Sequence, residues 1–302
     1  MRRDIEFNTE DGTTLRGWHY AARNADGSVV DGPAPTVIMA HGFTATREIF
    51  LDDFADVFAA AGLGVIVYDH RGFGVSEGEP RSHADPWAQI NGYRDCITWA
   101  AGLPEVDADR IGVWGSSYAG GHVLVVAALD KRVKCVVSQV PLTYGLETAR
   151  RLIRGDMWAG LRSAFDADRA ARARGEAGAM MPVTAPEGEP CALPTADTYA
   201  FFTEFEASRE TNWKNEVTLH SIEMFTEYEP ARYIDRIAPT PLLLVVAEGD
   251  HLTPFDLTAK AYEEALQPKK LLILPGGHFD AYTGEPFKTS SAAQRDWFVE
   301  HL

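Results

Sequence analysis

Short unbroken apolar runs alternate with longer stretches of helical periodicity along most of this chain. The runs TVIMA (36–40), GVIVYD (64–69), IGVW (111–114), RVKCVVSQV (132–140), PLLLVVAE (241–248) and KKLLILP (269–275) read as strands. Helices are predicted over 48–61, 86–101, 255–266 and 287–301, with another following IGVW as far as 129. Strands that are apolar on both faces, each with a helix after it, indicate a mostly parallel sheet covered by helices on both sides. Ahead of them, 5–8 and 15–20 flank the turn Glu10-Asp11-Gly12 and read as an antiparallel hairpin that opens the sheet. A polar Gly/Pro loop covers 26–35.

Between 141 and 228 the alternation stops. This stretch carries helical fragments at 146–154 and 164–174, a Gly/Pro/Met segment at 175–194, and a polar-aromatic run through Trp213 and Tyr228. The expected organisation is therefore an α/β core built from 1–140 and 229–302, with a mostly helical lid inserted at 141–228. Internal repeats are not apparent.

Composition narrows the function classes. The 302 residues are 45% hydrophobic and 24% charged, as in an ordinary soluble globular protein. A net charge of -16 repels phosphate backbones and anionic lipid surfaces, so neither nucleic acid nor membrane is an expected partner and a small-molecule substrate is. The opening MRRDIEFNTEDG has no apolar stretch after its arginines and does not read as a signal peptide, nor does any run approach membrane-spanning length. Cys96, Cys135 and Cys191 are odd in number and widely spaced, which suits a reducing cytoplasm and gives no metal-ligand spacing; Cys135 reads as an inert buried strand residue. Neither cofactor nor metal is expected. A homo-oligomer is left open.

The candidate chemistry centres on 110–129, RIGVWGSSYAGGHVLVVAAL. It reads as a strand, a sharp turn of small residues and a helix, with Ser117 at the apex between Gly115 and Ala119. A serine on such an elbow sits in a strained conformation, so its neighbours at plus and minus two must be small. The hydroxyl is then exposed above the sheet, and the first N–H groups of the helix face any negative charge beside it. In isolation, a Gly/Ser-rich turn into an ordinary helix would look the same.

The remaining strand ends decide between these readings, because ligands of open α/β sheets bind beyond the carboxyl ends of the strands. Those ends carry His41-Gly42-Phe43, Asp69-His70-Arg71-Gly72, Ser117, Asp250-His251 and Gly277-His278. A serine hydroxyl needs a base to take its proton and a carboxylate to orient that base, and the order Ser117, Asp250, His278 supplies all three from separate loops. Other candidates are weaker. His251 shares its loop with Asp250 and is poorly placed to reach Ser117 as well; Ser116 has Trp114 at minus two. Asp256 reads as a solvated first-turn residue, His41 as a hydrogen-bonding loop residue, His122 as a packing residue, and Asp69 with Arg71 as a turn-stabilising pair. The segment 72–77 lacks the third glycine of a dinucleotide-binding loop.

With these residues in view, the chain resembles the α/β-hydrolase superfamily over nearly its whole length. The segments HGF, DHRGFGVSEGEPR, GVWGSSYAGG and GGHFDAYTGE are most similar to a branch of dienelactone-hydrolase-like and X-Pro dipeptidyl peptidase-like proteins that includes fungal polyketide transferases. The resemblance implies an α/β-hydrolase fold and an oxyanion hole formed by the backbone N–H groups of Phe43 and Tyr118. It also implies acyl transfer from an ester, thioester or amide through Ser117, with His278 as base and Asp250 as its orienting acid. A serine hydrolase acting on a hydrophobic small molecule is expected first, an acyltransferase or a carbon-carbon bond hydrolase next, and a non-catalytic binding protein as the rival of another class. Trp158, Phe165, Met180, Met181, Trp213, Met224, Phe225 and Tyr228 are the expected apolar lining or core of the lid.

Overall fold

The computed structural model describes residues 2–302. β1 (Arg2–Asn8) and β2 (Thr14–Tyr20) form the expected antiparallel hairpin. β3 (Ala34–Ala40), α1 (Leu51–Ala59), β4 (Gly64–Tyr68) and α2 (Pro86–Ala100) follow. The start of α2 is set by Asp85, whose carboxylate accepts from the N–H groups of Trp87 and Ala88, and by Pro86 in the first turn. β5 (Val106–Ser116) leads into α3 (Tyr118–Leu129) and then β6 (Val133–Gln139). β5 begins earlier than its apolar run suggests, because Val106 pairs with Ala34 across a register shift.

After β6 the chain runs through α4 (Gly145–Leu152), α5 (Trp158–Ala173), the two-residue strand β7 (Met180–Met181), α6 (Ala196–Ser208), its antiparallel partner β8 (Val217–Thr218) and α7 (Leu219–Glu227). The two ends of this segment meet: the Gly145 N–H donates to Tyr228 O at 2.9 Å, and the Ala231 N–H to Thr143 O at 3.0 Å. β9 (Leu242–Ala247), α8 (Phe255–Glu264), β10 (Lys269–Leu274) and α9 (Gly284–His301) complete the fold.

The eight long strands form one sheet in the order β1-β2-β4-β3-β5-β6-β9-β10. From β4 to β10 every pairing is parallel, and β2 joins the edge of β4 antiparallel. The fully apolar strands β4 and β9 are buried along their whole length, as is α3 apart from its last residue. β3 sends the chain outward to β4 on one side, and the next strand, β5, returns to its other side. The carboxyl ends of β3 and β5 therefore flank the switch point at which doubly wound sheets hold their ligands. No helix of the described residues is long and apolar enough to cross a membrane.

Candidate active site

Ser117 stands between β5 and α3 with φ 60° and ψ -119°, a left-handed conformation unusual for a residue with a side chain. The small neighbours are a steric requirement: a Cβ on Gly115 would lie 2.1 Å from the Ala119 carbonyl oxygen, and one on Gly120 would lie 2.9 Å from Gln139 O. Ser117 itself is pinned by its N–H, which donates to Gln139 O at 2.9 Å, and by its carbonyl, which accepts from Leu142 N–H at 2.9 Å. The loop after β3 closes in from the side, and a Cβ on Gly42 would lie 2.9 Å from both Ser116 O and Ser117 Cβ. Phe43 is thereby held next to Tyr118, their rings 5.2 Å apart edge to face. Tyr118 opens α3, so its N–H has no partner within the helix.

The imidazole comes from the loop after β10. His278 is 1% exposed, and its Nδ1 lies 2.7 Å from Asp250 Oδ2. Asp250, in the loop after β9, is held by two further donors to Oδ1, the N–H groups of Leu252 (2.8 Å) and Thr253 (2.7 Å). The Thr253 hydroxyl lies 2.9 Å from Asp250 Oδ2, 2.9 Å from Val140 O and 3.1 Å from His278 Nδ1. Val140 has φ 35°, rare for a β-branched residue, and turns its carbonyl to that hydroxyl at the end of β6. With a carboxylate at Nδ1, that nitrogen carries the proton and Nε2 is left to accept one.

Ser117 and His278 line the same cavity, of about 540 Å³ with its open mouth included. No hydrogen bond joins their side chains in this conformation among the described residues. Gly42, Phe43, Tyr118, Leu252 and Thr253 share the lining from the strand ends. Phe279 and Tyr282 come from the His278 loop, and Leu142, Leu193, Phe201, Phe202 and Phe225 from the segment after β6. Among the described residues, the only ionisable side chains on this surface are the imidazole of His278 and the phenols of Tyr118 and Tyr282, and burial raises both phenols. A site of this kind admits neutral apolar groups and offers a hydroxyl and an imidazole at one place.

The other sequence candidates are elsewhere. Ser116 is fully buried beneath the elbow, in contact with the Tyr282 hydroxyl. His251 is exposed, and Asp256 makes a bidentate surface pair with Arg151. His41 accepts the His70 N–H at Nε2 (3.0 Å), and His122 bridges Gln89 Oε1 (2.8 Å) and the Tyr228 hydroxyl (3.0 Å). Burial lowers both imidazoles, His41 to about 4 and His122 to about 3. The expected Asp69–Arg71 pair does not form. Asp69 is fully buried and accepts the N–H groups of Arg47 (2.7 Å) and Val75 (3.2 Å), whereas Arg71 runs to the surface and pairs with Asp11 of the first hairpin. Burial, reinforced by nearby Glu48, pushes Asp69 up to about 7.

Of the apolar residues expected between 141 and 228, Phe225 lines the cavity. Trp213 and Phe165 pack inside the segment, Met180 is exposed, Met224 faces a different cleft, and Tyr228 buries its hydroxyl against His122. The other residues of this segment that line it, Leu142, Leu193, Phe201 and Phe202, were not singled out by the sequence. Two belong to α6, whose buried positions Thr198, Phe202 and Phe205 follow i, i+4, i+7 spacing, a signal hidden within the polar-aromatic run.

Comparison with known proteins agrees with this architecture. Residues 35–285 match the family described as alpha/beta hydrolase fold. The chain is 30% identical to a thiohydrolase of Eupenicillium brefeldianum over 97% of its own length and 92% of that protein's. It is 32% identical to the quorum-quenching protein AidA of Acinetobacter baumannii over 87% of the chain and 85% of the relative. It is also 31% identical to the polyketide transferase grgF of Penicillium over 100% and 97% of the two chains. The crystal structure of the alpha/beta hydrolase GrgF superposes with a TM-score of 0.85 at 28% identity, covering 100% of this chain and 99% of that one.

Proposed function

The chain belongs to the alpha/beta hydrolase fold family, and from that premise we propose that it is a serine hydrolase cleaving an ester-type bond of a hydrophobic small molecule through an acyl-enzyme. The observation that carries this reading is a strained, partly exposed Ser117 on the same apolar cavity as an imidazole tied to a buried carboxylate. Ser117 Oγ attacks the carbonyl carbon while His278 Nε2 takes its proton; Asp250 keeps the imidazole in the required tautomer and offsets its positive charge. The N–H groups of Phe43 and Tyr118 receive the oxyanion, each contributing on the order of 10²-fold in rate. His278 returns the proton to the leaving group, and water repeats the sequence to release the acid.

Among ester-type bonds, a thioester is favoured by the relative named a thiohydrolase. The second reading, transfer of the Ser117 acyl group to an alcohol or amine, is supported by the relative named a polyketide transferase. A fluorophosphonate probe and a panel of esters and thioesters test the proposal: wild type is expected to label and turn over, and Ser117→Ala to stay folded, escape labelling and lose at least about 10⁴-fold in kcat. Full activity in Ser117→Ala overturns it. Products formed with competing nucleophiles present separate hydrolysis, which gives free acid, from transfer, which gives conjugate.

A further inference from the structure

Beneath the elbow runs a buried chain of hydrogen bonds that the proposed chemistry does not use. Trp114 on β5, Gln139 at the end of β6, Ser290 and Gln294 on α9, and Ser116 just before the proposed nucleophile all have 0% exposure. The Trp114 indole N–H donates to Gln294 Oε1 at 2.5 Å, and Gln294 Nε2 donates to Gln139 Oε1 at 2.6 Å. Ser290 donates to the same Oε1 at 3.0 Å, and Gln139 Nε2 donates to Ser116 Oγ at 3.3 Å. Ser116 Oγ then meets the hydroxyl of Tyr282 at 2.5 Å.

One end fixes the direction of the chain as far as Ser116. An indole N–H can only donate, so Gln294 turns its oxygen to Trp114 and its nitrogen to Gln139. Gln139 must then turn its oxygen to Gln294 and its nitrogen to Ser116. Ser116 Oγ accepts that bond and makes a further one with the Tyr282 hydroxyl, in which either oxygen can donate. Flipping either amide would set two donors face to face in a buried site, at a cost of about 1–3 kcal/mol, so each glutamine has one orientation.

The chain joins the two parts whose separation matters. Its last link runs from Ser116, on the elbow one residue from Ser117, to Tyr282, which shares a loop with His278. Asp250 and Thr253 hold the imidazole from the β9 side, through its Nδ1. We infer that the hydrogen-bond chain Trp114–Gln294–Gln139–Ser116–Tyr282 is a positioning device that sets the loop carrying His278 against the elbow carrying Ser117. The inference rests on the serine-hydrolase reading, since the separation matters only if a proton crosses it. Ser116 and Tyr282 act through the loop: the Ser116 side chain is shut off from the cavity, and the Tyr282 hydroxyl is engaged with it.

The test is ester turnover by wild type, Ser117→Ala, Ser116→Ala, Ser116→Thr, Tyr282→Phe and the double variant Ser116→Ala/Tyr282→Phe, with folding checked by circular dichroism. A misplacement of about 1 Å can cost about 10²-fold in rate, so the smaller slack left by one lost hydroxyl should lower kcat about tenfold in each single alanine or phenylalanine variant. KM should stay within about twofold. The double variant should be no slower than the worse single, because either change breaks the same link, and Ser116→Thr should recover most of kcat. Unchanged kcat in both single variants, losses that multiply in the double, or a loss confined to KM would overturn the inference. Turnover that survives Ser117→Ala would instead sink the serine-hydrolase reading and this inference with it, a result distinct from all the others.

Discussion

The cavity has two kinds of wall. On the strand-end side, backbone lies against backbone: glycines at 42, 115 and 120 leave no room for a Cβ, and the polar groups around Asp250 are densely hydrogen-bonded. On the side contributed by the segment after β6, ring lies against ring. Phe201 stacks on Phe279 at 4.2 Å and Phe202 on Trp213 at 4.6 Å, and α6 is tied down by Arg209 through partly exposed pairs with Asp52 and Asp53. The first wall is determined by backbone geometry, so its residue choices are few and its chemistry is fixed. The second is a packing of adaptable apolar side chains, in which substitutions alter shape before they alter mechanism.

Substitutions on each wall should separate these behaviours. The largest effect is expected from Gly115→Ala, which drives a Cβ into the Ala119 carbonyl and should cost about 3 kcal/mol or more, read as a drop in the urea midpoint together with lost activity. A tolerated alanine would show that the elbow has slack. Acidification comes next, because His41 and His122 sit beside this wall and are neutral when folded. Their lowered values mean that the unfolded chain takes up protons first as pH falls below about 6.5, so stability present above that pH is lost on the way down to about 4 and about 3. At full titration this is roughly 3 kcal/mol for His41 and roughly 5 kcal/mol for His122. Asp69 works the other way: its raised value gives stability that is full below about 4 and lost as pH rises through about 7. Urea midpoints measured from pH 7 to 4 should therefore fall in wild type and fall more steeply in Asp69→Asn.

On the aromatic wall the effects are smaller and of another kind. Phe201→Ala should change KM for bulky esters severalfold, with kcat within about threefold, at a stability cost of about 1–2 kcal/mol for a half-buried ring. A collapse of kcat on every substrate would mean that the two walls are not separable. Arg209→Ala removes two partly exposed ion pairs and a stack on Phe50, and should lower stability by less than about 1 kcal/mol.

The same contrast explains what could be read in advance. Parallel strands announce themselves as apolar runs, and a strand end followed by a small polar turn marks where side chains converge, so the placement of Ser117, Asp250 and His278 on neighbouring loops could be read from residue type and order. Ser116 could be set aside because Trp114 occupies its minus-two position, and in the structure it faces inward. Legibility failed where a contact depends on which side of a turn a residue leaves. Asp69 and Arg71 are two apart in sequence yet lie in different surroundings, one enclosed and one at the surface. It failed also along α6, where the adjacent Phe201 and Phe202 both line the cavity although helical periodicity puts only Phe202 on the buried stripe.

The contact between Gly145 and Tyr228 has a consequence for how such a protein can change. A Cβ at residue 145 would lie 2.1 Å from Phe225 O and 2.4 Å from Tyr228 O, so the stretch after β6 departs and returns through a single narrow neck. Whatever is spliced in beyond that neck has to match its two stems and to replace contacts such as those of Arg209 with Asp52 and Asp53. Chimeras that graft another loop between these stems would thus alter one wall of the cavity while leaving the other as it is.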